Sequence, residues 1–211
     1  MISKAVHQAE IIQIFAKQPQ LGTVKTRLIP MLGIVGATQF YHRLCWQQLQ
    51  RLDLVVYQDK LQLYAYPHYH HVFFKQCQQT FGCELYSQSG FDLGMKMATA
   101  LQHGLQSAQR VVLIGTDCPH LDQTYIEHAF QALRHGAAVV LGPANDGGYV
   151  LVGMNQTVAP IFTEMPWSTE QLLEQTVRRL QNLRLNYHLL SVLDDIDTPL
   201  DYLGMPEKNT L

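Results

Sequence analysis

Two unbroken apolar runs constrain this chain most: Val111-Val112-Leu113-Ile114, stopped by Gly115, and Ala137-Ala138-Val139-Val140-Leu141, stopped by Gly142. A strand with one wet face alternates apolar and polar residues. A continuous run fits a strand covered on both faces, as in a parallel sheet between helices. Glu10 to Ala16 (EIIQIFA) and Leu61 to Ala65 read as further strands, and Glu84 to Tyr86 as a weak one. Tyr149 to Val152 resumes as strand after the strong turn Asn145-Asp146-Gly147-Gly148. Between the strands, Ala37, Phe40, Tyr41, Leu44, Cys45, Leu49 and Leu52 recur at helical spacing. Val72 to Phe81 reads as a helix ended by Gly82. Asp92 caps a helix carrying Leu93, Met97, Ala98, Leu101 and Leu105, and Asp122 opens one that ends near Gly136. Ser168-x-x-Gln171 reads as a capping box for the helix of Leu172, Leu173, Val177 and Leu180. A short strand near Leu189 and a turn of helix after Pro199 follow. The alternation predicts an α/β fold, a three-layer α/β/α sandwich around a mostly parallel sheet. At 211 residues the chain is expected to form a single domain over residues 1–205, with a frayed tail over 206–211.

Charge and cysteines narrow the function classes. Fifteen basic and seventeen acidic residues give a net charge of -2, and only 15 % of residues are charged. A surface that neutralises nucleic-acid phosphates would carry a basic excess, so no nucleic-acid partner is expected. No stretch approaches the roughly 18 apolar residues of a membrane span. The polar start, Met1 to Glu10, makes the cytoplasm the default location. Cys45, Cys77, Cys83 and Cys118 form no C-x-x-C pair and read as free, mostly buried thiols. Pro67-His68-Tyr69-His70-His71 lacks helical metal-ligand spacing and reads as a solvated loop.

In an open α/β sheet, ligands bind outside the carboxyl ends of the strands. Four segments there carry candidate chemistry. Lys17-Gln18-Pro19-Gln20-Leu21-Gly22-Thr23-Val24-Lys25-Thr26-Arg27 gathers three basic residues in eleven positions. Gly22 permits close approach, and lysine and arginine suit phosphate oxygens, so the loop is either a diphosphate cradle or a solvated basic loop. Gly115-Thr116-Asp117-Cys118-Pro119 sets one carboxylate at a strand end, where it can hold Mg²⁺ or Mn²⁺. Gly142 to Tyr149 is equally a hairpin turn or a ligand wall built on Asp146 and Tyr149. Asp194-Asp195-Ile196-Asp197-Thr198-Pro199 is a solvated turn or a cation site, with Asp197 a helix cap, a metal ligand, or both.

FAKQPQLGTVKTRL, QSGFDLGMKM, GTDCPHL, GPANDGGYVL, PWST and DIDTPLD occur in this order over about residues 10 to 203. The series closely resembles a bacterial family of glycosyltransferase-like proteins with the GT-A nucleotide-diphospho-sugar transferase fold. It is more distantly similar to the molybdenum-cofactor and phospholactate guanylyltransferases. The resemblance implies that Lys17, Lys25 and Arg27 meet the nucleotide's phosphates and that Gln88, Gly90, Asp92 and Gly94 lie near the nucleotide. It implies that Asp117 holds the divalent cation with Asp197, Asp195 being a substitute. Lys96 stands where the family usually has arginine, which keeps the charge and loses the fork. Asp146 and Tyr149 fall where an acceptor is oriented, with Trp167 and Ser168 closing that side.

The expected function is a metal-dependent transferase taking a nucleotide-activated donor, first of all a glycosyltransferase acting on a nucleotide sugar and a small-molecule acceptor. Catalytic candidates are Asp146, as base for an acceptor hydroxyl, with Lys25 and Arg27. Cofactor-binding candidates are Lys17, Gly22, Lys25, Arg27, Gln88, Asp92, Lys96, Thr116 and Tyr149. Metal candidates are Asp117 and Asp197. The alternatives are nucleotidyl transfer from an NTP to a phosphorylated small molecule, and a non-catalytic nucleotide-binding domain. The opening loop lacks the glycine-rich G-x-G-x-R pattern common in nucleotidyltransferases, which favours sugar transfer.

Overall fold

The computed structural model describes residues 10–52 and 61–205; the expected frayed tail, 206–211, lies outside them. Seven strands are β1 (Glu10–Lys17), β2 (Leu61–Tyr66), β3 (Glu84–Ser87), β4 (Arg110–Ile114), β5 (Val139–Pro143), β6 (Tyr149–Met154) and β7 (Tyr187–Leu189). They form one sheet in the order β3-β2-β1-β4-β6-β5-β7. Every pairing is parallel except those of β6, which runs antiparallel to both β4 and β5. The expected mostly parallel sheet is therefore present.

Among the described residues the helices are α1 (Ile29–Leu52, kinked at Gly33), α2 (Val72–Phe81), α3 (Leu93–Leu105), α4 (Gln123–Arg134), α5 (Leu172–Asn182) and the short α6 (Pro199–Gly204). One core joins α1, α2 and α4 to the sheet through Tyr41, Cys45, Phe74, Ile126 and Phe130 with Ile12, Ile14, Val112 and Ile114. The other joins α3 and α5 through Met97, Leu101 and Leu180 with Val111, Leu113, Val139 and Leu141. Successive residues of β4 thus feed opposite cores, which is why Val111 to Ile114 are all at most 4 % exposed and all apolar. The helices on both faces complete the α/β/α sandwich. Among the described residues no helix is long and apolar enough to cross a membrane.

Asp92 and Asp122 cap α3 and α4 as expected, accepting from Met95 N and Tyr125 N. Two expected caps differ. Ser168 lies in the left-handed region at φ 64, and Gln171 precedes α5 without capping it. The Ser168 capping box does not form, because α5 docks through backbone instead, Leu173 N donating to Gly147 O. α6 is capped by Thr198 in a capping box with Asp201, so Asp197 is released from that job. All four cysteines are buried and outside any disulfide. Burial pushes the Cys118 thiol up to about 11, which suits packing rather than nucleophilic attack. The histidine loop is mostly exposed, and its last member, His71, caps α2.

A small third core shapes the site. Leu28 and Ile196, 168 positions apart in number, pack with Ala37, Phe40 and Leu44. Leu28 directly follows the basic loop, and Ile196 directly precedes Asp197. Burying these two apolar residues together brings the loops that flank them into contact.

Gly94, in the first turn of α3, carries a packing constraint. A Cβ there would lie 2.3 Å from Phe162 O and 2.6 Å from Trp167 Cζ2. Alanine is the better helix former by about 1 kcal/mol. The Gly94→Ala protein is nevertheless expected to be less stable by about 1–3 kcal/mol in denaturant unfolding, because overpacking outweighs propensity.

Candidate functional site

The strand order reverses at β1: β2 and β3 extend to one side of it and β4 to the other. Such a switch point leaves a crevice at the carboxyl ends of the strands, since the connections depart in opposite directions. A cavity of about 430 Å³ occupies that place. Phe15, Leu93, Met97, Leu113 and Val152 supply an apolar wall. Lys17, Lys25, Arg27, Asp117 and Asp197 supply a charged one.

Lys25 is the centre of the charged wall. Its side chain is 3 % exposed, and Nζ lies 2.8 Å from Asp117 Oδ1 and 2.8 Å from Asp197 Oδ1. Nζ also donates to Ile196 O at 2.6 Å. Its backbone sits in the left-handed region at φ 46, a strained placement for a side chain with a Cβ. These contacts offset that strain. Burial alone would lower the ammonium's pKa, but Asp117 and Asp197 outweigh it and hold it above its ordinary range. The pairing also sets the loops: Ile196 N donates to Asp117 O at 2.9 Å, tying the end of β4 to the C-terminal segment. Asp117 Oδ1 is buried, with the Lys25 ammonium against it.

Arg27 stands farther out, 67 % exposed, with Nη1 3.6 Å from Asp197 Oδ2. It is the exposed cation of the pair, and Lys25 the buried one. Both residues expected to meet phosphates line the crevice, Arg27 from the exposed side and Lys25 with its ammonium held by protein oxygens. Lys17 lines the crevice, and its backbone N donates to Tyr41 Oη at 2.6 Å. Gln88 lines it too, its amide donating to Tyr64 O at 3.0 Å. Thr116 lines it at 4 % exposure.

The other candidates have different tasks. Gly22, at φ 75, shapes the turn of the basic loop. Asp92 is the cap of α3, and Lys96 Nζ lies 4.1 Å above the Tyr66 ring. Neither lines the crevice. Asp146 is exposed and accepts from Gly148 N through Oδ1, the geometry of an Asx turn. It stands outside the crevice wall. Tyr149 borders the crevice, and burial pushes its hydroxyl's pKa up against a smaller lowering contribution from Thr176 of α5. Asn145 donates to Asp194, which joins the turn after β5 to the acidic segment.

Two participants were not singled out from sequence. Tyr41 belongs to the apolar stripe of α1, yet it reaches the crevice with its hydroxyl. A tyrosine in a core stripe needs a partner for that hydroxyl, which is the signal it offered. Ile196 contributes a carbonyl, for which no side-chain signal exists.

Lys25→Met would leave two carboxylates and a carbonyl facing one another. Both carboxylates are 43 % exposed, so water limits the loss. The variant is expected to lose about 1–3 kcal/mol in denaturant unfolding. Asp195 gives a pH signature. Burial, then Asp146 and Asp197, push its pKa from 3.8 up to about 6. The folded chain holds a proton there that the unfolded chain releases, so stability falls as pH rises from about 4 to about 6. Asp195→Asn is expected to melt higher than the wild type above that window and alike below it, as followed by thermal denaturation.

A family model described as "Uncharacterized protein conserved in bacteria (DUF2064)" matches residues 43–169, more than half of the chain. No curated protein matches it. A crystal structure from Desulfovibrio desulfuricans G20, described as a "putative nucleotide-diphospho-sugar transferase", matches with a TM-score of 0.83 at 28 % identity, over 95 % of this chain and 88 % of that one. A cytidylyltransferase from Leptospira borgpetersenii serovar Hardjo-bovis matches with a TM-score of 0.58 at 13 % identity, over 93 % and 84 % of the two chains. Glucosyl-3-phosphoglycerate synthase from Mycobacterium tuberculosis, in complex with Mn²⁺, uridine diphosphate and glucosyl-3-phosphoglycerate, matches with a TM-score of 0.53 at 13 % identity, over 94 % and 75 %. The first likeness gives the nucleotide-diphospho-sugar transferase-like fold, and the last two show a shared fold and nothing finer.

Proposed function

The chain belongs to the bacterial family DUF2064, and we propose that it is a single-domain transferase that takes a nucleotide-activated donor into the crevice between β1 and β4. The observation that carries this reading is the charged wall. Two carboxylates and two cations from loops far apart in sequence converge at the switch point, beside an apolar wall. A diphosphate joined to a nucleoside has the matching halves.

Asp117 and Asp197 fit a divalent cation. Both are oxygen donors that converge on one point, the place held by the Lys25 ammonium. Among the described residues no group of three His, Cys, Asp or Glu side chains surrounds a metal position. Two carboxylates completed by substrate phosphates are the usual arrangement for Mg²⁺. Such an ion, Mg²⁺ or Mn²⁺, would neutralise charge on the leaving phosphate. Arg27, exposed and forked, is placed to take phosphate oxygens bidentately. Gln88, Leu93 and Met97 line the part of the crevice that suits the nucleoside.

Glycosyl transfer is the preferred reaction, supported by the likeness to the Desulfovibrio protein and by the missing glycine-rich pattern in the basic loop. Nucleotidyl transfer is the second reading, on the likeness to the cytidylyltransferase. A nucleoside diphosphate released from a sugar donor supports the first; pyrophosphate released from an NTP supports the second.

A thermal-shift panel of nucleotides and nucleotide sugars, with and without Mn²⁺, tests the proposal. A true ligand at a hundredfold excess over its dissociation constant adds about 2.7 kcal/mol. Asp117→Ala is expected to erase the Mn²⁺-dependent part of that shift. A panel in which no nucleotide moves the wild-type melting point would overturn the reading.

A further inference from the structure

We propose that the Lys25 ammonium is the built-in counter-ion of the Asp117–Asp197 pair, and that a divalent cation enters only by displacing it, together with a diphosphate that receives it. The second half of this rests on reading the crevice as a diphosphate site. The first half rests on geometry alone.

One nitrogen lies 2.8 Å from an oxygen of each carboxylate. Mg²⁺ binds oxygen at about 2.0–2.1 Å and Mn²⁺ takes the same class of ligand. An ion drawing on both of those oxygens needs the space that Nζ fills. The ammonium and the ion also repel one another at that range. The two states differ in charge balance. The ammonium brings a single charge to the two carboxylates at contact distance, Arg27 adding a second only from the exposed side at 3.6 Å, whereas a divalent ion brings both charges to one point. The ion is therefore the better partner for the carboxylates, and the obstacle is the displaced lysine.

Lys25 cannot simply be discarded. Its side chain is 3 % exposed, and a buried ammonium left with the Ile196 carbonyl and no anion is costly. It must exchange Asp117 and Asp197 for another anion within reach of the same crevice. The phosphates of a bound donor are such an anion, and the lysine already lines their cavity. Ion and diphosphate then favour each other by linkage: each makes the lysine's move less costly for the other. Lys25 acts as a positioning residue in the empty protein, holding the two carboxylates together. It becomes a phosphate partner only in the loaded one.

Mn²⁺ binding, followed by electron paramagnetic resonance and calorimetry, tests this without any turnover. The wild-type protein alone is expected to bind Mn²⁺ at least about tenfold more weakly than Lys25→Met alone. Adding UDP, GDP or CDP is expected to tighten Mn²⁺ binding to the wild type by at least about tenfold, and to tighten it less in the variant. Mn²⁺ is also expected to raise the melting point of Lys25→Met and not that of the wild type. Equal Mn²⁺ affinity for wild type and variant, with no nucleotide present, overturns the exchange. A variant that gains Mn²⁺ while no nucleoside diphosphate affects either protein sustains the exchange and removes the proposed function. Should Lys25→Met fail to fold, the lysine Nζ resonance of the wild type gives the same answer by NMR. It is expected to stay in place with Mg²⁺ alone and to move with Mg²⁺ and a nucleoside diphosphate together. Displacement by Mg²⁺ alone contradicts the proposal.

Discussion

The contact of Lys25 with Asp117, Asp197 and Ile196 O joins parts of the chain that share no secondary structure. One partner follows β1, one follows β4, and the others lie just before α6. Each partner alone would be an unfavourable placement: a buried ammonium, a carboxylate with a buried oxygen, a lysine in left-handed backbone. Together they are compatible, because the charge of one answers the burial of the others. The small apolar core of Leu28 and Ile196 supplies the non-directional part of the same joint. It brings the loops together, and the charges fix their register.

Around that joint the sheet does the larger work. Parallel strands from both sides of β1 leave a gap where the order reverses, and the apolar wall of that gap comes from residues of β1, β4, α3 and β6. The antiparallel β6 matters here. Because it runs opposite to β4, its first residues, Tyr149 and Val150, lie at the same sheet edge as the last residues of β4. The hairpin turn at Asn145 to Gly148 is thereby set at the rim of the site. Gly147 allows the turn to press against Glu170 O, where a Cβ would stand 2.2 Å from it. That close approach is why α5 begins where it does, by a backbone bond to the turn and not by a side-chain cap.

Much of this was legible in the residues. The runs at Val111 to Ile114 and Val139 to Leu141 belong to strands covered on both faces, and Asp92 and Asp122 cap the helices that follow them. These are local matters, settled by periodicity and by the four unpaired N–H groups at a helix start. The misread caps show the limit. Ser168 and Gln171 have the spacing of a capping box, but the turn at Gly147 offers α5 a different partner. Asp197 has the look of a cap in the sequence, but its Oδ1 accepts from Lys25 and the neighbouring Thr198 caps α6.

The sequence by itself determined the class of the fold, the edge of the sheet on which polar residues gather, and the types of group available there. Those follow from hydrophobic period and strand-end position, which are properties of neighbouring residues. Only the tertiary structure decided which cation meets which carboxylate. Lys17, Lys25 and Arg27 are alike as a basic loop, yet one lies along the crevice, one is buried between two aspartates and one stays in water. The physical reason is that charge pairing depends on distance and dielectric. Both are set here by the packing of Leu28 against Ile196, a contact that no local pattern encodes.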